Sequence, residues 1–274
     1  MSRTVGGVAA GCRVVVVYTL VLGVSLCGLA SQASAGRFEP PCVDDPNDVL
    51  IIGDSYVNFD IAHTFPDDMA RVAGARWPLF AVPGAAMATG GIAGYIPDQF
   101  EVASWFHPDA KVVLMDGGGN DILIPSLFWV GGGHCKNSQH ADELLVCQWI
   151  VAAAIERAEQ LMMRMADQGI RDVLYFFYPH IPGGLLGGAN PNVILDYALP
   201  EVREVCRSAY AMTGGRLRCT FLDLVPVFEG ESDVFAADGV HPNSNGSLLT
   251  ARAVWTKMRN RCIAQPSSRG CCVP

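Results

Sequence analysis

The chain has 274 residues, with 27 acidic against 19 basic side chains, a formal charge of −8, and half of its residues apolar. This balance excludes intrinsic disorder, which needs low hydrophobicity and high net charge. The absence of any Lys/Arg run excludes a nucleic-acid-binding surface, which depends on clustered cations.

The predicted elements begin with a segment that does not belong to the fold. Arg3 and Arg13 precede an apolar stretch from Val14 to Ala30, and Ala33-Ser34-Ala35 follows as a small-x-small site. This is the layout of a secretory signal peptide over residues 1–35. The alternative is an uncleaved anchor, for which the stretch lies at the short end of what crosses a bilayer. No second segment is apolar enough to span, so no stable membrane insertion is expected after cleavage. The remaining 239 residues would carry a charge of −10 in a secreted or periplasmic setting.

Eight cysteines follow the leader, and an even number in an exported chain predicts disulfides. Local pairing joins Cys135 to Cys147 and Cys206 to Cys219. Cys42, Cys262, Cys271 and Cys272 are then left to tie the termini of the domain.

Five short apolar runs predict strands: Val49–Ile52, Leu79–Val82, Lys111–Met115, Asp172–Phe177 and Thr220–Leu224. Continuous apolar runs suit parallel strands covered on both faces. Helical patterns lie between them at residues 62–73, 91–106 (broken or kinked at Pro97), 142–167, 200–212 and 243–259. The alternation predicts a three-layer α/β/α sandwich with a mostly parallel five-stranded sheet. One domain over residues 42–265, followed by a cysteine-containing tail over 266–274, is the simplest organisation.

In open parallel sheets, ligands bind beyond the carboxyl ends of the strands. The segments there are Gly53-Asp54-Ser55-Tyr56, Pro83-Gly84-Ala85, Asp116-Gly117-Gly118-Gly119-Asn120-Asp121, and a loop with Asp238-Gly239-Val240-His241-Pro242-Asn243. Together they carry the groups that acyl transfer needs. A serine hydroxyl, Ser55, becomes a nucleophile when a base takes its proton, and His241 can take it and later return it. Asp238 can hold the other imidazole nitrogen in the correct tautomer. The Asn120 amide and the N–H groups of Ser55 and Gly84 can receive the developing oxyanion.

These four segments, in this order, resemble the four blocks of the SGNH (GDSL-type) hydrolases. Gly53-Asp54-Ser55 resembles the nucleophile block, Gly84 the lone-glycine block, Gly118-Gly119-Asn120-Asp121 the G-x-N-D block and Asp238-Gly239-Val240-His241 the D-x-x-H block. Tyr56 stands where the family name has Leu. The resemblance spans residues 48–260. It implies an SGNH/flavodoxin-like fold and a serine esterase or lipase, with Ser55, Gly84, Asn120, Asp238 and His241 as its site and no cofactor or metal. The substrate would be a small-molecule, lipid or acylated-glycan ester. A polysaccharide deacetylase, an acyltransferase and a non-catalytic glycan- or lipid-binding module are the rival functions.

Several other residues invite a role. Asp60-Ile61-Ala62-His63 is a second D-x-x-H, expected on a helix leading away from the rim. His134, Cys135, His140 and Cys147 could suggest zinc, but their spacing fits no common site. His180 either packs in its loop or contacts substrate. Asp54, Asp116 and Asp121 are expected to hydrogen-bond the site loops. The apolar, glycine-rich loops 125–133 and 181–188 could wall the pocket or act as a lid. Trp77, Trp105, Trp149 and Trp255 are expected in the core.

Overall fold

The computed structural model describes residues 38–59, 64–89, 91–128, 135, 141–182 and 191–273. The predicted leader, the Asp60–His63 motif, His134, His140 and most of the two glycine-rich loops lie outside the described residues. The described residues belong to a unit running from Arg37 to Pro274.

Four parallel strands form the sheet in the order β1 (Val49–Ile52), β2 (Val112–Met115), β3 (Asp172–Phe177) and β4 (Arg218–Asp223). Every residue of β1, β2 and β3 is buried, as continuous apolar runs demand, whereas β4 is partly exposed at the sheet edge. The charged start of β3 is tolerated because Arg218, its register partner on β4, donates to the Asp172 carboxylate at 2.6 Å.

The sheet has four strands where five were predicted. Residues 79–82 do run beside β1: the Phe80 N–H donates to the Ile51 carbonyl and the Val82 N–H to the Gly53 carbonyl. Only a single bridge, Ile51 to Leu79, forms there. Pro78 and Pro83 bracket the run, and each lacks the N–H that would extend a ladder.

The helices are α1 (Phe65–Ala73), α2 (Ile96–Phe106), α3 (Gly119–Phe128), α4 (Ala141–Asp167), α5 (Asn192–Met212), the short α6 (Val225–Phe228) and α7 (Ser244–Asn260). α1 packs on α7, while α4 packs on α2, α3 and α5, so helices cover the sheet in two groups. Two prolines behave differently from expectation. Pro97 opens α2 instead of breaking it, because the first helical turn needs no N–H from that position. Pro200 lies inside α5 rather than at its start. There the helix is held on both sides by β4 and α4, and that packing outweighs one lost backbone bond.

Trp77 is buried, but Trp105 and Trp149 are each 80% exposed, on the outer faces of α2 and α4. Their apolar neighbours in sequence lie on other faces of the same helices, so local composition misplaces them.

All eight cysteines from Cys42 onward are paired: Cys42–Cys272, Cys135–Cys147, Cys206–Cys219 and Cys262–Cys271. The two local pairs agree with the sequence reading. The tail does not stand apart, since Val273 bridges Pro41 and Gln265 bridges Cys42 beside the Cys42–Cys272 bond. With 230 residues between its ends, that bond removes more chain entropy from the unfolded state than the local ones. Cys42→Ser is expected to lower unfolding stability by about 2–5 kcal/mol in urea. Thiol titration of the chain without residues 1–35, denatured without reductant, should find no free thiol.

Candidate active site

Because all four strands are parallel, their carboxyl ends lie on one rim, and the chain leaving β1 turns sharply there. Gly53 has φ +145°, and a Cβ on it would fall 1.8 Å from Asp116 Oδ1, so only glycine fits. The Gln99 side chain clamps this residue, accepting from the Gly53 N–H and donating to its carbonyl, both at 2.8 Å. The next N–H, of Asp54, donates to Asp116 Oδ1 at 2.8 Å, which ties the turn to the end of β2. Asp54 in turn accepts from the Tyr56 N–H at 2.9 Å and from the Tyr178 hydroxyl at 2.6 Å. Ser55 stands at the head of this turn.

The loop before α7 carries His241. Asp238 Oδ1 accepts from the N–H groups of Val240 (2.9 Å) and His241 (3.0 Å), which folds the loop around the carboxylate. Asp238 Oδ2 lies 2.6 Å from His241 Nδ1, and His241 Nε2 lies 2.9 Å from Ser55 Oγ. A carboxylate only accepts, so Nδ1 carries the hydrogen and Nε2 is left to accept from the serine hydroxyl. Asn243, immediately beyond, caps α7 by accepting from the N–H groups of Asn245 and Gly246. Its amide nitrogen donates to the Asp233 and Phe235 carbonyls, so the histidine loop is pinned to a rigid helix end. The Phe59 ring stacks on His241 with centroids 3.6 Å apart and planes 3° from parallel.

The third and fourth segments complete the rim. Gly84 has φ +81°, and a Cβ there would meet Ile92 at 2.7 Å. Asp121 gathers the loop that follows, accepting from the N–H groups of Met87 (2.7 Å), Ala88 (2.8 Å) and Thr89 (2.6 Å). The Asn120 amide donates to the Ala85 carbonyl at 2.8 Å, which fixes its orientation and leaves its second hydrogen. Ser55, Gly84, Asn120, Asp238 and His241 all line one cavity of about 320 Å³. Among the described residues no acceptor takes the N–H of Ser55 or Gly84. The arrangement can deprotonate a serine, hold the resulting imidazolium against a carboxylate, and present several donors to a developing negative charge.

Burial governs the acids beneath the site. It pushes Asp116 well above the usual carboxylate range, the charge of Asp54 adding to the effect. Asp54 is also raised, again by burial, against the opposing hydrogen bonds from Tyr178 and Tyr56. Burial brings Asp121 to about 6 despite its three N–H donors, and Asp172 to about 6 despite Arg218. Asp238 goes the other way. Burial would raise it, but the hydrogen bond to His241 and the two N–H donors prevail and hold it below the ordinary value. It therefore stays charged opposite the imidazole.

The structure thus brings together all five predicted site residues. Asp54, Asp116 and Asp121 hydrogen-bond the site loops as expected. His180 instead pairs with Asp196 at 2.7 Å at a half-exposed position and does not line the cavity. The Cys135–Cys147 bond occupies both thiols of the zinc alternative. Among the described residues, no group of three or more His, Cys, Asp or Glu side chains could hold a metal ion. Phe59 and Gln99 escaped the sequence reading, as did the capping role of Asn243. That role had a usable signal, an Asn at the start of the predicted helical pattern, but nothing in the sequence marks Phe59 as a neighbour of His241, 182 positions away.

No family model matches this sequence, and no curated protein does either. Solved structures do. A candidate GDSL-like lipase from Parabacteroides merdae superposes over 81% of this chain and 98% of its own, with a TM-score of 0.56 at 12% identity. A carbohydrate acetylesterase family member from Sinorhizobium meliloti does so over 77% and 97%, at 0.54 and 14%. The chain has the fold of the SGNH hydrolases. A further neighbour, a family two carbohydrate esterase from Clostridium thermocellum solved with cellohexaose, matches over 81% of this chain and 66% of its own, with a TM-score of 0.53 and 16% identity.

The buried acids set a pH dependence. A carboxyl whose folded pKa is raised contributes most stability when protonated, and that contribution is lost as pH rises through the folded value. For Asp121 and Asp172 the window lies between about 4 and 6, with Asp54 and Asp116 acting in the same direction. The urea midpoint should therefore rise when pH is lowered from 7.5 to 5.5. A falling midpoint would mean that these carboxyls remain charged in the folded chain.

Proposed function

We propose that this chain is an exported serine ester hydrolase that works through an acyl-enzyme on Ser55. The observation that carries the reading is the continuous hydrogen-bonded line from Ser55 Oγ to His241 Nε2 and from His241 Nδ1 to Asp238 Oδ2, at 2.9 and 2.6 Å, opening into a cavity. The leader pattern of residues 1–35 and the four disulfides support export. Among the described residues no helix is long and apolar enough to cross a membrane.

In this mechanism Ser55 Oγ attacks the ester carbonyl carbon as its proton passes to His241 Nε2. The carbonyl oxygen becomes an oxyanion and is received by the N–H groups of Ser55 and Gly84 and by the Asn120 amide. Collapse of this intermediate breaks the bond to the alcohol oxygen, which takes the proton from Nε2 and departs. Water then attacks the acyl-enzyme and gives its proton to His241. The bond to Ser55 Oγ breaks, the proton returns to the serine, and the carboxylic acid leaves. Asp238, held charged, stabilises each imidazolium as it forms. Phe59, flat against the ring, keeps the imidazole in the plane that serves both Ser55 and Asp238.

Ser55→Ala should abolish turnover of p-nitrophenyl esters. Asn120→Ala should lower kcat about 10²–10³-fold, as removal of one oxyanion donor does elsewhere. Asp238→Asn should lower it by about 10⁴-fold, because the wrong tautomer of His241 is then favoured. Full activity in Ser55→Ala would dismiss the reading. Phe59→Leu should reduce kcat about tenfold, since the ring stacked on His241 is lost.

A further inference from the structure

The cavity beside Ser55 has an uneven chemistry. Beside Ser55, Asn120, Asp238 and His241, the described part of its wall is dominated by apolar side chains, Phe59, Ile92, Leu123, Ile181, Leu195 and Val240 among them. Three of these, Leu123, Ile181 and Val240, form a small apolar cluster with Phe235, which also packs against the main core. They come from α3, from the chain after β3 and from the histidine loop, so the wall is built by three distant parts of the sequence. The other polar groups on the lining are already engaged or buried. The Tyr178 hydroxyl donates to Asp54, the Tyr56 hydroxyl is fully buried, and Asp238 holds His241. Among the described residues, a sugar ring in this space would find few free side-chain partners for its hydroxyls, and buried unpaired polar groups are costly.

Size points the same way. A volume of 320 Å³ is about ten times the roughly 30 Å³ that one water takes in the liquid, far more than the methyl of an acetyl group fills. We infer that the cavity is an acyl-chain pocket and that the preferred substrates are esters of medium-length apolar acids, of about six to ten carbons. This rests on the ester-hydrolase reading and deepens it. The acyl chain lies along Leu123, Ile181 and Leu195, and its carbonyl is presented to Ser55.

The test is kcat/KM for p-nitrophenyl acetate, butyrate, octanoate and palmitate with the purified protein and with Leu123→Trp, alongside fluorophosphonate labelling of Ser55. Burying a methylene favours binding about fourfold, so octanoate should exceed acetate at least tenfold, with palmitate falling below octanoate once the chain outgrows the cavity. In Leu123→Trp the octanoate-to-acetate ratio should drop at least fivefold. A ratio does not depend on how much of the variant folds. Acetate equal to or better than octanoate, with Ser55 labelled, would overturn the acyl pocket and leave the hydrolase reading standing. An unchanged ratio in Leu123→Trp would overturn the placement of the chain and with it the inference. No turnover of any ester together with an unlabelled Ser55 would overturn both readings.

Discussion

The contact between the turn after β1 and the end of β2 organises the rest of the site. Asp116 Oδ1 occupies the space where any residue but glycine at position 53 would place its Cβ, and from there it accepts the Asp54 N–H. Parallel pairing of β1 with β2 brings the two segments side by side, with Ile52 opposite Met115. Everything downstream is aimed from this point. Asp54 is held by Tyr178, from the end of β3, and Ser55 is thereby presented to His241, whose loop is anchored to α7. The position of Ser55 is therefore a property of three adjacent strand ends and not of its own loop.

This placement runs against stability. Asp54 and Asp116 are buried next to each other, and one oxygen of Asp116 has no partner among the described residues. Two buried carboxyls at close quarters resist ionising together, so burial and mutual repulsion both favour keeping a proton between them. A neutral acid behind the serine spares His241 a second negative charge besides Asp238. The chain offsets this cost with an extensively buried three-strand centre and with disulfides that lace the first and last described segments together.

Much of this was legible in the sequence, for physical reasons that differ by feature. β1 and β3 were read to the residue because buried parallel strands need unbroken apolar runs, and little else in a chain this glycine-rich produces them. That the five candidate residues meet at one cavity was partly legible because Ser55 and Asn120 lie just beyond β1 and β2, where a parallel sheet collects its ligands, while Asp238 and His241 come from the loop between α6 and α7. What was lost depended on partners far away in sequence. Residues 79–82 have a strand's composition, but the prolines on either side limit their pairing to one bridge. Pro200 looked like a helix start because its neighbours β4 and α4 were not visible from the local pattern. Phe59 could not be matched to His241, because stacking follows from two loops meeting in space.

The polar and apolar parts of the cavity lining come from different parts of the fold. Ser55 and Gly84 stand on or beside glycine turns whose backbone geometry is tightly fixed: Gly53 and Gly84 both hold conformations that other residues adopt with strain. The apolar wall is assembled from side chains on α3, α5 and the loops, where one branched residue can replace another without moving the backbone. Substitutions at the wall change volume and shape while the line from Ser55 to Asp238 stays in register.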